Sequence, residues 1–161
     1  MISNFISLKN FHLKKNISSI KKDLKKILEE KSPVINSLGT KYENSFNIQK
    51  IKKYKKFSNV RIIGMGGSTL GTQAIYSFLN HKIKKKFLFL DNLKPKRKID
   101  NQKNLNLIIS KSGNTIETII NVNIFIKKKD NNIFIVENNQ NYLHNLAKKL
   151  KSEIFYHNNF I

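Results

Sequence analysis

The stretch Val60-Arg61-Ile62-Ile63-Gly64-Met65-Gly66-Gly67-Ser68-Thr69-Leu70-Gly71 runs from a short apolar strand through a glycine turn into a helix-patterned segment. A second stretch, Leu105-Asn106-Leu107-Ile108-Ile109-Ser110-Lys111-Ser112-Gly113-Asn114-Thr115, repeats the plan about forty residues later. Each strand ends in a turn rich in Ser, Thr and Gly, and each turn leads into a helix. A phosphate needs several convergent donors at little steric cost. Glycine backbones, hydroxyls and helix N-terminal amides supply them. One such turn is a weak signal, whereas two at corresponding positions of successive βα units describe a pocket.

Working outward, short apolar runs alternate with helical stretches from Asn59 onward. The strand candidates are 60–63, 87–90, 105–109, 133–136 and 154–156. Their β-branched and aromatic content predicts strands buried on both faces of a parallel sheet. Helices are expected over 70–80, 115–128 and 142–151, while 94–104, with Pro95, supports a short helix at most. This pattern reads as an α/β, flavodoxin-like five-stranded parallel sheet of order 2-1-3-4-5, flanked by helices. In that order strands one and three are neighbours whose outgoing connections diverge to opposite faces, which opens a binding crevice. Both serine-rich turns fall there.

Residues 1–58 form an expected N-terminal helical lead-in and 59–161 the α/β domain. Ile17, Ile20, Leu24, Ile27 and Leu28 give an amphipathic helix over 17–31, with Asn16 as N-cap and Pro33 beyond its end. Residues 32–44 read as a loop with one short turn. Phe46, Ile48, Ile51, Tyr54 and Phe57 suggest a second helix.

Each turn has a plainer explanation. Ser68 or Thr69 could serve only as an N-cap. Asn114-Thr115-Ile116-Glu117 has the spacing of a capping box, in which Glu117 merely satisfies backbone amides. Capping does not need all of Ser110, Ser112 and Thr115, however, and Lys111 adds a positive charge beside them. The dinucleotide fingerprint would use Gly64 and Gly66 but meets Thr69 where a small residue belongs; Asp91 keeps that rival open. The Walker loop fails, because Thr72 stands where its lysine must be. His12, His81, His144 and His157 show no metal-ligand spacing and read as surface or helix-end residues.

The 161 residues carry 31 Lys and Arg against 10 Asp and Glu, a net charge of +21. Such a balance invites a nucleic-acid reading. Only Arg61 and Arg97 are arginines, though, and the scattered lysines suit solvated helix faces better than bidentate contacts to bases or phosphates. No apolar run approaches the ~18 residues of a spanning helix, and residues 1–15 show no cleavage-site pattern. The absence of cysteine excludes disulfides and fits a cytoplasmic chain.

Ile63-Gly64-Met65-Gly66-Gly67-Ser68-Thr69-Leu70-Gly71 and Ser110-Lys111-Ser112-Gly113-Asn114-Thr115-Ile116-Glu117-Thr118 together resemble the two signatures of the phosphoglucose isomerase family, within the sugar isomerase domain superfamily. The resemblance covers that family's first sugar isomerase domain. It implies that Ser68, Ser110, Ser112 and Thr115 hold a sugar phosphate, with Gly67 and Lys111 alongside and Glu117 near the sugar hydroxyls. The implied reaction interconverts glucose 6-phosphate and fructose 6-phosphate through an enediol, with no metal or organic cofactor.

In the family, a Gly-Gly-Arg segment follows near where this chain reaches Phe160-Ile161, and the base glutamate, ring-opening histidine and a further lysine belong to a second domain. None has a counterpart here, so the resemblance implies substrate binding with almost no turnover. Three readings follow. An isomerase fragment would bind hexose 6-phosphate and expect a second domain or companion chain, with a homodimer in keeping with the family. A stand-alone sugar-phosphate sensor would bind the same ligand. A basic nucleic-acid module would bind in a salt-dependent way that ignores Ser110 and Ser112.

Overall fold

The computed structural model describes residues 17–30, 32–43, 46–93 and 104–158. The chain divides into two compact units, Met1–Tyr42 and Glu43–Ile161.

In the first unit, α1 (Ser18–Glu29) carries Ile20, Leu24, Ile27 and Leu28 at helical spacing, all exposed. The expected cap, Asn16, lies outside the described residues; Ile17 occupies the N-cap position without a side-chain bond. The stretch expected as a loop contains α2 (Pro33–Ser37). Pro33 opens it, its fixed φ preset for a first helical residue.

The second unit is organised by three strands whose side chains are mostly withdrawn from water: β1 (Asn59–Ile63), β3 (Asn104–Ile109) and β4 (Asn131–Glu137). With β2 (Lys86–Leu90) and β5 (Glu153–His157) they form an all-parallel sheet of order β2-β1-β3-β4-β5. The fold is α/β and flavodoxin-like. Burial on both faces holds for the central strands but not for the edges: Lys86 and Leu88 of β2 and Tyr156 of β5 are exposed. An edge strand has one neighbour and incomplete helix cover, so its outward positions need not be apolar.

Register places Ile63 beside Leu90 and Ile108, and Ile108 beside Phe134. These four pack with Val122 and Phe125 of α5 (Ile116–Phe125) and Leu143 and Ala147 of α6 (Tyr142–Lys149). Side chains alternate along a strand, so Leu105 and Ile133 face the other way, where they meet Phe57, Tyr54 and Phe155. On that second face α4 (Gly67–Leu79) rests Tyr76 against Phe87 and Phe89, with ring centroids 4.9 and 6.1 Å apart.

The helix expected over 46–57 divides into α3 (Ile48–Lys52), capped by the Asn47 side chain, and a 3-10 helix, Lys53–Lys56. The tighter winding brings positions three apart into line, which suits Tyr54 and Phe57, both packed on the sheet. The crossover between β2 and β3 falls on 94–103, so the short helix considered there lies outside the described residues; Asn104 already belongs to β3.

Beneath the first core cluster runs a polar ladder. Arg61, Asn106 and Asn132 stand in register on β1, β3 and β4. Arg61 Nη1 donates to Asn106 Oδ1 and to the Phe125 carbonyl, each at 3.2 Å. Asn106 Nδ2 donates to Asn132 Oδ1 at 2.8 Å, and Asn132 Nδ2 to the Lys127 carbonyl at 3.0 Å. The end of α5 and the turn after it are thereby tied to the sheet, satisfying carbonyls a helix end leaves unpaired.

Candidate phosphate-binding crevice

β1 and β3 are adjacent, and the helices that follow them lie on opposite faces of the sheet. The two serine-rich turns therefore leave neighbouring strand ends and part around a crevice. Their starting points touch: a Cβ on Gly64 would stand 2.7 Å from the Ile109 carbonyl oxygen.

In the first turn Gly66 is the N-cap of α4, with φ 51° and ψ −124°, a conformation open to glycine and hardly to any other residue. The helix consequently begins at Gly67, three residues earlier than the apolar pattern indicated, and neither Ser68 nor Thr69 is the N-cap. Thr69 is buried and its hydroxyl returns to the Gly66 carbonyl at 3.2 Å. Gly67 is exposed and Ser68 half-buried, both in the first turn of α4. Asp91, the carboxylate that kept the dinucleotide reading open, accepts a hydrogen bond from Gln73 Nε2 at 2.7 Å.

The second turn begins as an extension of β3. Ser110 N donates to the Ile135 carbonyl at 3.0 Å, and the Lys111 carbonyl accepts from Glu137 N at 3.1 Å. The Ser110 side chain is buried; its Oγ accepts from Gly113 N at 3.2 Å and lies 3.3 Å from Thr115 Oγ1. Ser112 Oγ accepts from Asn114 N at 3.3 Å. Ser110 thus braces the turn from inside, while Lys111 and Ser112 are exposed and Thr115 is half-buried at the entrance to α5.

The capping box fails. The N-cap of α5 is Thr115 rather than Asn114, and it makes no side-chain cap bond. Asn114 instead accepts from Tyr142 N through Oδ1 at 3.0 Å. Glu117 is left half-buried in the first turn of α5. No side chain caps α4 or α5; in α4 the Ser68 and Thr69 amides already donate to the Met65 and Gly66 carbonyls, so Gly67 N and the first-turn amides of α5 are the donors an anion would meet.

The helix expected over 142–151 begins at Tyr142 as read from the sequence and ends at Lys149, but the sequence reading missed its link to the second turn. Asn141 is buried and caps α6 by accepting from His144 N at 2.8 Å. Leu143 N donates to the Gly113 carbonyl at 3.1 Å. Together with the bond from Tyr142 N to Asn114, this spends the first amides of α6 on holding the second turn. Gly113, at φ 66°, lies so close that a Cβ there would stand 1.9 Å from Asn141 Oδ1. Nothing local in the sequence links Asn141 to Gly113. His144, expected at a surface or helix end, is buried in α6, with Nε2 3.3 Å from the Tyr156 hydroxyl.

Perturbed ionisation lies elsewhere. Burial pushes the Glu153 carboxyl up, but the Lys53 ammonium, 2.5 Å away, and the Tyr54 hydroxyl outweigh it and hold the group below its ordinary 4.5. Among the described residues, no helix is long and apolar enough to cross a membrane.

No protein-family model matches the chain. It is 42% identical over 89 residues to the glucose-6-phosphate isomerase of Methanocaldococcus jannaschii, covering 52% of this chain and 22% of that protein. It is 38% identical over 104 residues to the glucose-6-phosphate isomerase of Borrelia garinii subsp. bavariensis, covering 57% of this chain and 19% of that one. A hypothetical protein from Thermus thermophilus shares the fold with a TM-score of 0.59 at 23% identity, over 68% of this chain and 31% of its own. The resemblance read from the two turns is thus met by glucose-6-phosphate isomerases over about half of this chain, which spans about a fifth of their length.

Proposed function

We propose that this chain is the sugar-phosphate-binding part of a glucose-6-phosphate isomerase, and that its ligand is a hexose 6-phosphate. The observation that carries the reading is the pairing of two uncapped helix starts, α4 and α5, with serine-rich turns on the adjacent ends of β1 and β3. The partial identity to glucose-6-phosphate isomerases supports the choice of ligand.

In this reading the phosphate sits between the turns. Ser68, Ser112 and Thr115 present hydroxyls, Gly67 and the first turn of α5 present amides, and Lys111 offsets the ligand's charge. Ser110 acts through the turn it braces, and Glu117 faces the sugar hydroxyls. Neutral donors on a rigid frame suit a dianion because they bind it without needing to be desolvated as charges themselves. Proton transfer between C1 and C2 requires a positioned base and enediolate stabilisation, each usually worth several orders of magnitude. The resemblance assigns the enediolate-stabilising arginine to a Gly-Gly-Arg segment and the base to a second domain, so the residues of this chain supply binding, and turnover in sugar-phosphate metabolism requires those groups from a further domain or a companion chain. No cofactor enters the scheme.

Calorimetric titration with glucose 6-phosphate, with glucose and inorganic phosphate as controls, tests the reading. Saturable binding that needs both sugar and phosphate is expected. Ser112→Ala, an exposed position that leaves the brace at Ser110 intact, should weaken it about tenfold, as for loss of one hydrogen bond to a charged group. A folded chain that ignores glucose 6-phosphate, or binds it no better than phosphate, rejects the proposal.

A further inference from the structure

Lysines that lie scattered along the sequence are gathered by the sheet. Parallel strands are all entered from the same end, and the described segments that lead into β1, β2, β4 and β5 are 52–56, 84–86, 127–129 and 148–151. Each holds three or four lysines. All of these are exposed except Lys85, which is half-buried because its ammonium donates to the Lys55 and Phe57 carbonyls. Those bonds set the segment before β1 against the one before β2, and Lys53 on Glu153 ties it to the start of β5. A basic bar therefore runs the width of the sheet.

Carboxylates do not balance it. Among the described residues, those beside the strand starts are Asp130 and Glu153, and Glu153 is already held by Lys53. Asp91, Glu117 and Glu137 sit at the other end of the strands, with the crevice. Charge is thus separated along the strand axis. The positive end is the one that the two serine-rich turns do not use.

We propose that this end of the sheet binds the phosphate backbone of a nucleic acid without reading its sequence. Lysine binds phosphate as a point charge and lacks the planar fork of arginine; no arginine lies in the four segments. Contacts of that kind position a nucleic acid but do not specify its bases. An acidic protein is a poorer fit, because lysine is depleted from protein interfaces and the four segments expose no large apolar side chain as an anchor. A lipid surface is disfavoured for the same want of an apolar side chain to insert. Length fits as well. With neighbouring strands about 4.8 Å apart, the bar from β2 to β5 spans about 19 Å, over which one strand of a duplex carries about five or six phosphates.

Fluorescence anisotropy of the full chain with a labelled single-stranded RNA and a labelled DNA duplex, both of mixed sequence, tests the proposal across a salt series. Binding to both is expected, with log affinity falling linearly as log salt rises. Lys55→Gln/Lys84→Gln/Lys128→Gln/Lys149→Gln takes one exposed lysine from each segment. It should weaken binding about tenfold or more at low salt and flatten the salt slope. Lys21→Gln/Lys22→Gln/Lys25→Gln/Lys26→Gln removes the same charge from α1 and should cost far less. A reading free of variants comes from acetylation of the unaltered chain, in which bound RNA should shield the lysines of the four segments more than those of α1. No binding at low salt, equal losses in the two variants, or uniform shielding overturns the proposal. So does displacement of the RNA by polyglutamate, as expected of a site for an acidic protein, or by anionic lipid vesicles, as readily as by unlabelled RNA.

Discussion

Gly113 holds the second turn in a left-handed backbone conformation directly against the cap of the next helix. Gly113→Ala meets two costs: about 1–2 kcal/mol for the conformation itself, and a collision with Asn141. The expected outcome is a lower unfolding midpoint together with weaker glucose 6-phosphate binding. Gly113→Ala/Asn141→Gly should recover part of both losses, which denaturant titration and calorimetry would register. Arg61 offers a second case. Arg61→Leu puts an apolar side chain at this strand position but strips donors from Asn106 Oδ1 and the Phe125 carbonyl, both in the ladder. An unsatisfied buried acceptor costs about 1–3 kcal/mol, so urea unfolding should show a loss of that order or larger. The two turns that carry Ser68, Ser110, Ser112 and Thr115 were legible in the sequence because hydroxyls clustered around glycine form a local pattern. That Ser110 points inward, and that Asn141 supports Gly113, was not, because both depend on contacts between separate segments.

The elements show where local pattern suffices. All five strands and the helices after β1, β3 and β4 follow from apolar periodicity, while their ends follow from caps that periodicity does not see. α4 starts early because Gly66 takes the cap, and α5 stops at Phe125, where the ladder claims its carbonyl. The 3-10 helix is fastened to β5 by Tyr54 and Lys53 on Glu153. Because the folded Glu153 carboxyl lies below its ordinary 4.5, its contribution is fully present above that value and is lost as pH falls through the lower, folded one. Tyr54 is raised above 10.0, by burial first and then by its bond to Glu153, and Lys53 above 10.5, chiefly by its bond to Glu153. Their contributions fade only as pH rises through those raised values. Glu153→Gln should therefore lower the urea midpoint modestly at neutral pH, and the difference from wild type should close as pH falls through the lowered value of the folded Glu153 carboxyl. A difference that persists in acid would mean that the charge is not what fastens the strand.

At the scale of the whole molecule, the parallel order β2-β1-β3-β4-β5 brings two turns about forty residues apart in sequence to neighbouring strand ends. Sequence by itself determined the fold class, the strand order and the residues of both turns. Alternating β and α segments admit few topologies, since parallel crossovers are right-handed, and a glycine-serine turn declares itself within a few residues. Tertiary structure alone decided which hydroxyls of the turns are exposed and which brace the turn from inside, that the amides of α6 hold the second turn, that a buried ladder of Arg61, Asn106 and Asn132 underlies the core, and that α4 presents an uncharged apolar face outward. Each of these depends on distance in space between residues far apart along the chain. Helical periodicity shows that a helix has two faces, but only its packing partners determine which of them is turned to water.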